Sequence, residues 1–122
     1  MRVLSIQVQP ARSSGIDMAE ITAEFEPIAS ATNLVKHHAF DSGNDRGAYF
    51  NFTFGTPNAK VLWQVIQSRL YHSGNFSTHM RHASMAMCSS EDGWDDYLLL
   101  DHFDPTVALD DARPAKLPRD RS

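Results

Sequence analysis

AYFNFTFGTP, residues 48–57, is the most orderly stretch of this sequence, and its reading decides the fold. Phe50, Phe52 and Phe54 occupy one side of the alternation, while Tyr49, Asn51 and Thr53 occupy the other. A period of two with aromatic and β-branched residues is the pattern of a strand with one buried face. Thr56-Pro57 then marks a helix start, with Thr56 as N-cap and Pro57 in the first helical position. From there the spacing predicts a helix to about His72, with Leu62, Val65, Ile66 and Leu70 inward, Arg69 at the margin and Gly74 as terminator.

Working back toward the N-terminus, SGNDRG (42–47) is rich in turn formers and joins the aromatic strand to an earlier one over 34–41 as a hairpin. Before it lies a helix capped by Asp17, with Met18, Ile21, Phe25 and Ile28 three or four residues apart. Pro27 is expected to kink or end that helix. Leu4, Ile6 and Val8 alternate with polar neighbours in a first strand. Beyond Gly74, residues 78–88 and 97–103 read as two more strands, joined by the turn SSEDGW, and Pro105 ends the regular structure. The expected order is β-α-β-β-α-β-β. It describes an α+β domain of ferredoxin-like type, an antiparallel sheet with two helices on one face. Residues 1–109 form the domain, and residues 110–122, poor in apolar side chains, are expected to be a mobile tail.

The chain has 122 residues, enough for one core without a disulfide or a structural metal. The single cysteine, Cys88, cannot make an internal bridge. With no signal peptide or membrane-length apolar run, a cytoplasmic location without membrane contact is expected. The charge is unevenly placed. Residues 1–90 carry a net +1 and residues 105–122 a net +1, whereas residues 91–104 hold six acids and no Lys or Arg. That sign opposes direct nucleic-acid binding. The run Arg46 to Phe52 also lacks the aromatic placement of an RNA-contact motif, and its phenylalanines alternate as core residues do.

No enzyme motif emerges. His79 and His82 fall on a predicted strand, where residues three apart face opposite sides, and His37-His38 has the same defect. Cys88 has no flanking glycine elbow to present it as a nucleophile and reads as a small core residue. Asp92, Asp95 and Asp96 lack calcium-loop spacing. No cofactor, metal ligand or catalytic residue is therefore assigned.

The remaining signal is Glu91, Asp92, Trp94, Asp95, Asp96, Tyr97, Asp101 and Asp104, carboxylates set around two aromatics. Crowded like charges cost stability, and aromatics anchor interfaces. In size, composition and the stretch EDGWDDYLLLDHFDP, the chain resembles the small cytoplasmic immunity proteins of bacterial toxin systems, including contact-dependent inhibition. The resemblance implies a protein, monomeric or weakly dimeric, that covers the active site of a cognate toxin domain. A basic nuclease would be met by carboxylates in place of nucleic-acid phosphates. The alternative is a small-molecule or enzymatic ferredoxin-like domain with a pocket holding His38, His82 and Arg81.

Overall fold

The computed structural model describes residues 2–72, 76–90 and 93–109, with the backbone alone at 90 and 93–97. Strand β1 (Arg2–Val8) leads through a 3-10 turn at Pro10–Arg12 into helix α1 (Met18–Ala29). Strands β2 (His37–Asn44) and β3 (Ala48–Thr56) form a hairpin, followed by helix α2 (Ala59–Ile66) and a π-helical turn at Gln67–Tyr71. Helix α3 (Ser77–Ala83) runs straight into strand β4 (Ser84–Ser90), which pairs with β5 (Gly93–Asp101). Among the described residues the fold is α+β: one five-stranded antiparallel sheet in the order β2-β3-β1-β4-β5, with three α-helices. No described helix is long and apolar enough to cross a membrane.

The core forms where the inward alternation of the sheet meets the helices. Leu4, Ile6 and Val8 from β1, Phe52 and Phe54 from β3, and Ala86 and Cys88 from β4 are enclosed. Ile21, Phe25 and Ile28 of α1, Leu62 and Ile66 of α2, and Met80 and Ala83 of α3 join the same cluster. Phe25 stacks on Phe52 with ring centroids 4.1 Å apart and meets Phe54 and Phe40 at 5.9 and 6.5 Å. Rings in these arrangements add to what their buried area already contributes. The alternate residues of the sheet, Ser5, Gln7, Asn51, Thr53, Met85 and Met87, are half-buried and share none of this cluster. The helices therefore pack on one side, and the other side of the sheet is open.

Local expectations were met unevenly. Asp17 caps α1, its Oδ1 accepting from the N–H groups of Ala19 and Glu20 at 3.0 and 3.3 Å. Pro27 lies inside α1, which continues two residues beyond it. So close to the end, the proline forfeits only the bond to the Ala23 carbonyl. The second strand is β2 at 37–44, three residues later than predicted, because the Leu34 and Val35 N–H groups are bonded to the Ala31 carbonyl in the turn after α1 and pairing starts only with Lys36 N–H on the Gly55 carbonyl. Asn58 caps α2, accepting from Val61 N–H at 3.2 Å. Thr56 instead ends β3, buried, with its hydroxyl accepting from Asn58 N–H at 3.0 Å. Trp63, not assigned to the inward stripe, is 9% exposed and packs on Tyr71, whereas Val65 is only partly buried.

The largest correction concerns residues 78–83, predicted as the first half of a strand over 78–88 and found in a third helix, Ser77–Ala83. Phe76, Met80 and Ala83 sit at i, i+4 and i+7, and all three meet the core. That spacing is helical. The fifth strand likewise begins at Gly93 rather than at Tyr97. The predicted terminator Gly74, the turn residues Glu91 and Asp92, and the predicted tail 110–122 lie outside the described residues.

Candidate functional site

Of the acidic-aromatic set, Glu91 and Asp92 lie outside the described residues. Trp94, Asp95, Asp96 and Tyr97 lie on the backbone of β5, an edge strand whose single sheet neighbour is β4. Tyr97 is in register with Ser89, and Ser90 with Gly93. Their side chains are likewise outside what is described. A shift of register between Ala86 and Met87 sets Leu99 opposite Met87 and Asp101 opposite Ala86. A bulge of this kind re-aims side chains at the end of a strand.

Asp101 and Asp104 can be placed in full, and both have local work. Asp101 is half-buried and accepts from the His102 N–H at 2.8 Å. Burial pushes its carboxyl above the usual range, opposed by that hydrogen bond and by the charges of His102 and Arg81. Asp104 is exposed and closes a turn, accepting from the hydroxyl and the N–H of Thr106 at 2.7 and 2.9 Å. These bonds hold its carboxyl below the usual range. The acidic segment is also less isolated in space than along the chain. Arg81 acts on Asp101, and the Arg12 guanidinium lies 3.8 Å from the centroid of the Phe103 ring. Among the described residues, the ion pair present is Arg69–Glu24 at 3.4 Å.

The histidines separate. His37 and His38 lie on β2 and are exposed, at the opposite edge of the sheet from β4 and β5. The expected pocket of His38, His82 and Arg81 is therefore not assembled. Arg81 and His82 instead line a cleft of about 320 Å³ with Asp101 and His102. His79 and His82 are helical neighbours rather than strand residues, but His79 Nδ1 is bonded to the Ser13 hydroxyl at 2.6 Å. No group of three His, Cys, Asp or Glu side chains converges among the described residues. Cys88 is fully buried, its thiol donating to the Ser89 carbonyl at 3.3 Å, and burial pushes its pKa up. A buried, protonated thiol is inert, as its reading as a core residue implied.

The open face divides in two. On the side of β1, β4 and β5 it presents Val3, Met85, Met87 and Leu99, apolar and partly exposed. On the side of β1, β3 and β2 it is polar. Ser5 and Thr53 hydroxyls meet at 3.1 Å, and a file of hydrogen bonds crosses the strands through Gln9, Gln7, Asn51 and Asp41. The file borders a cavity of about 500 Å³, which Arg12, Arg46 and Tyr49 also line. The sequence assigns none of these residues a binding role, although the polar half of each alternation is visible there and the run from Arg46 invites comparison with an RNA-contact motif. What they form depends on cross-strand register. Comparison with protein-family models, with curated proteins and with solved structures gave no match.

Proposed function

We propose that this chain is a protein-binding domain that receives a basic partner along the β4–β5 side of its sheet, in the manner of a toxin-neutralising immunity protein. The observation that carries the reading is the position of the acidic-aromatic segment. Its residues Trp94, Asp95, Asp96 and Tyr97 lie on the backbone of an edge strand, beside the partly exposed Met85, Met87 and Leu99. Apolar area next to a rim of one charge is the anatomy of a protein interface, and the rim sets the encounter rate. The order β2-β3-β1-β4 fits a ferredoxin-like split βαβ unit, to which β5 adds the edge. The surface narrows from the eight residues first named. Asp104 is engaged in its turn and Asp101 is half-buried near Arg81, so the burden falls on Glu91, Asp92, Trp94, Asp95, Asp96 and Tyr97.

The test begins with tagged protein used to capture a partner from its own cell extract. Association is then followed for wild type and for Asp95→Lys/Asp96→Lys between about 0.05 and 0.5 M NaCl, a range over which screening becomes strong. The double variant should associate about tenfold more slowly than wild type at low salt, with an unchanged melting temperature and a loss that shrinks as salt rises. Equal association rates for the two proteins at low salt would remove the acidic edge as the binding surface.

A further inference from the structure

The polar half of the open face holds an ordered hydrogen-bond relay. Arg12 Nε donates to Gln9 Oε1 at 2.5 Å, and Gln9 Nε2 donates to Gln7 Oε1 at 2.8 Å. Gln7 Nε2 donates to Asn51 Oδ1 at 3.1 Å, and Asn51 Nδ2 donates to Asp41 Oδ1 at 3.1 Å. A guanidinium can only donate and an ionised carboxylate can only accept, so the two ends fix the direction of all three amides between them. Each amide spends one N–H and one lone pair on the relay and keeps one of each for another partner.

Arg12, Gln9, Gln7 and Asn51 of this relay form one wall of the 500 Å³ cavity, a volume within the range of small-molecule sites. Arg12 is held at its positive end, by Gln9 along one edge and by the Phe103 ring 3.8 Å from its Cζ. Arg46 enters from the β2–β3 turn, where it is the described non-glycine residue with a left-handed backbone, φ 61°. The phenol end of Tyr49 covers Gly43, where a side-chain Cβ would run into it, and Tyr49 lines the same cavity. Asp45 is the acid in the lining against Arg12 and Arg46, while Asp41, the far end of the relay, is spent on Asn51 and lies outside the lining. Neither arginine has an ion-pair partner among the described residues.

We propose that this cavity binds a small organic anion, its carboxylate or phosphate taken by Arg12 and Arg46 and its polar body read by the free amide groups of Gln7, Gln9 and Asn51. Arginines matched to an oxyanion supply charge-assisted bonds of fixed geometry. Pre-ordered amides fix the orientation of the body without further loss of side-chain freedom. The site lies on a different part of the sheet from the acidic edge and stands or falls without it.

The test is a titration of isotope-labelled full-length protein with citrate and with AMP, adenosine serving as the uncharged control, followed through the Gly47 amide and the side-chain amides of Gln7, Gln9 and Asn51. Saturable shifts are expected with one of the two anions, which tells carboxylate from phosphate, and adenosine should bind at least tenfold more weakly. Arg12→Gln and Arg46→Asn should each weaken binding at least tenfold. Asparagine tolerates the left-handed backbone at position 46, so that variant keeps the turn intact. Arg69→Gln, which alters an arginine paired with Glu24 elsewhere, should bind as wild type does. The proposal is overturned if neither anion saturates, if Arg46→Asn binds unchanged, or if Arg69→Gln loses as much as the cavity variants.

Discussion

Removing one oxygen from each end of a buried hydrogen bond should have very unequal effects at Tyr71 and Ser84. The Ser84 hydroxyl donates to the Met80 carbonyl at 2.6 Å, which uses its single proton. The bond of 2.6 Å between Tyr71 and Ser84 must therefore run from the phenol to the serine oxygen. Both residues are buried, Tyr71 at 4% and Ser84 at 1% exposure. Tyr71→Phe keeps the ring against Trp63, whose centroid is 5.2 Å away, and removes a donor together with its proton. The expected cost is about 1 kcal/mol, one net hydrogen bond. Ser84→Ala instead leaves the phenol buried with nothing to donate to, a penalty of about 1–3 kcal/mol, and removes the bond to Met80 at about 1 kcal/mol more. The Met80 carbonyl itself keeps the Ser84 N–H. In the double variant no orphaned phenol remains, and the loss should return to about 2 kcal/mol. Urea unfolding of the four proteins, with equal slopes, measures the cycle. The single losses summed should exceed the double by about 1–3 kcal/mol, with Ser84→Ala the worse of the pair. Additivity within about 0.5 kcal/mol, or a milder Ser84→Ala, would refute the assigned direction of the bond.

Two further outcomes follow from the core and from the end of β5. Phe25→Ala empties the centre of the aromatic cluster over Phe52 and should cost about 3–5 kcal/mol in urea unfolding; a loss under about 1 kcal/mol would mean that the cluster closes over the gap. Asp101 has its carboxyl raised by burial, so the stability tied to its proton is whole below the ordinary carboxylate range and is lost as pH rises through the folded-state value. Asp101→Asn stays neutral and can still accept the His102 N–H, so it should be the more stable protein near neutral pH and match wild type at the acid end. Thermal melts across pH decide this, and a less stable variant near neutrality would show that the charges of Arg81 and His102 outweigh the burial.

The parts of the fold that could be read from sequence are those whose period outruns chance. Phe50, Phe52 and Phe54 alternate over a whole strand, and Asp17 precedes a long apolar helical stripe. Residues 78–83 read as strand in the sequence because α3 is under two turns long and its apolar residues, Met80 and Ala83, suit either structure. No glycine or proline separates it from β4. The acidic segment was visible as composition, whereas the engagement of Asp101 and Asp104 was not, since it rests on a bulge and on a turn with Thr106. The relay was hidden for a related reason. Gln7 opposes Asn51, and Asn51 opposes Asp41, only once three strands have found their register.

The passage from α3 to β4 takes place within one peptide, Ala83 to Ser84, with Ser84 already extended at φ −126° and ψ 160°. Chain length at that joint has no slack. One inserted residue would rotate the strand by half its repeat, sending Met85 and Met87 toward the helices and Ala86 and Cys88 to the outside, or else would unwind a helix of only seven residues. The joint works as a gear tooth, meshing the turning of a helix with the alternation of a strand, and variation in length must be accommodated elsewhere, as in the three-residue connection between Asn44 and Ala48.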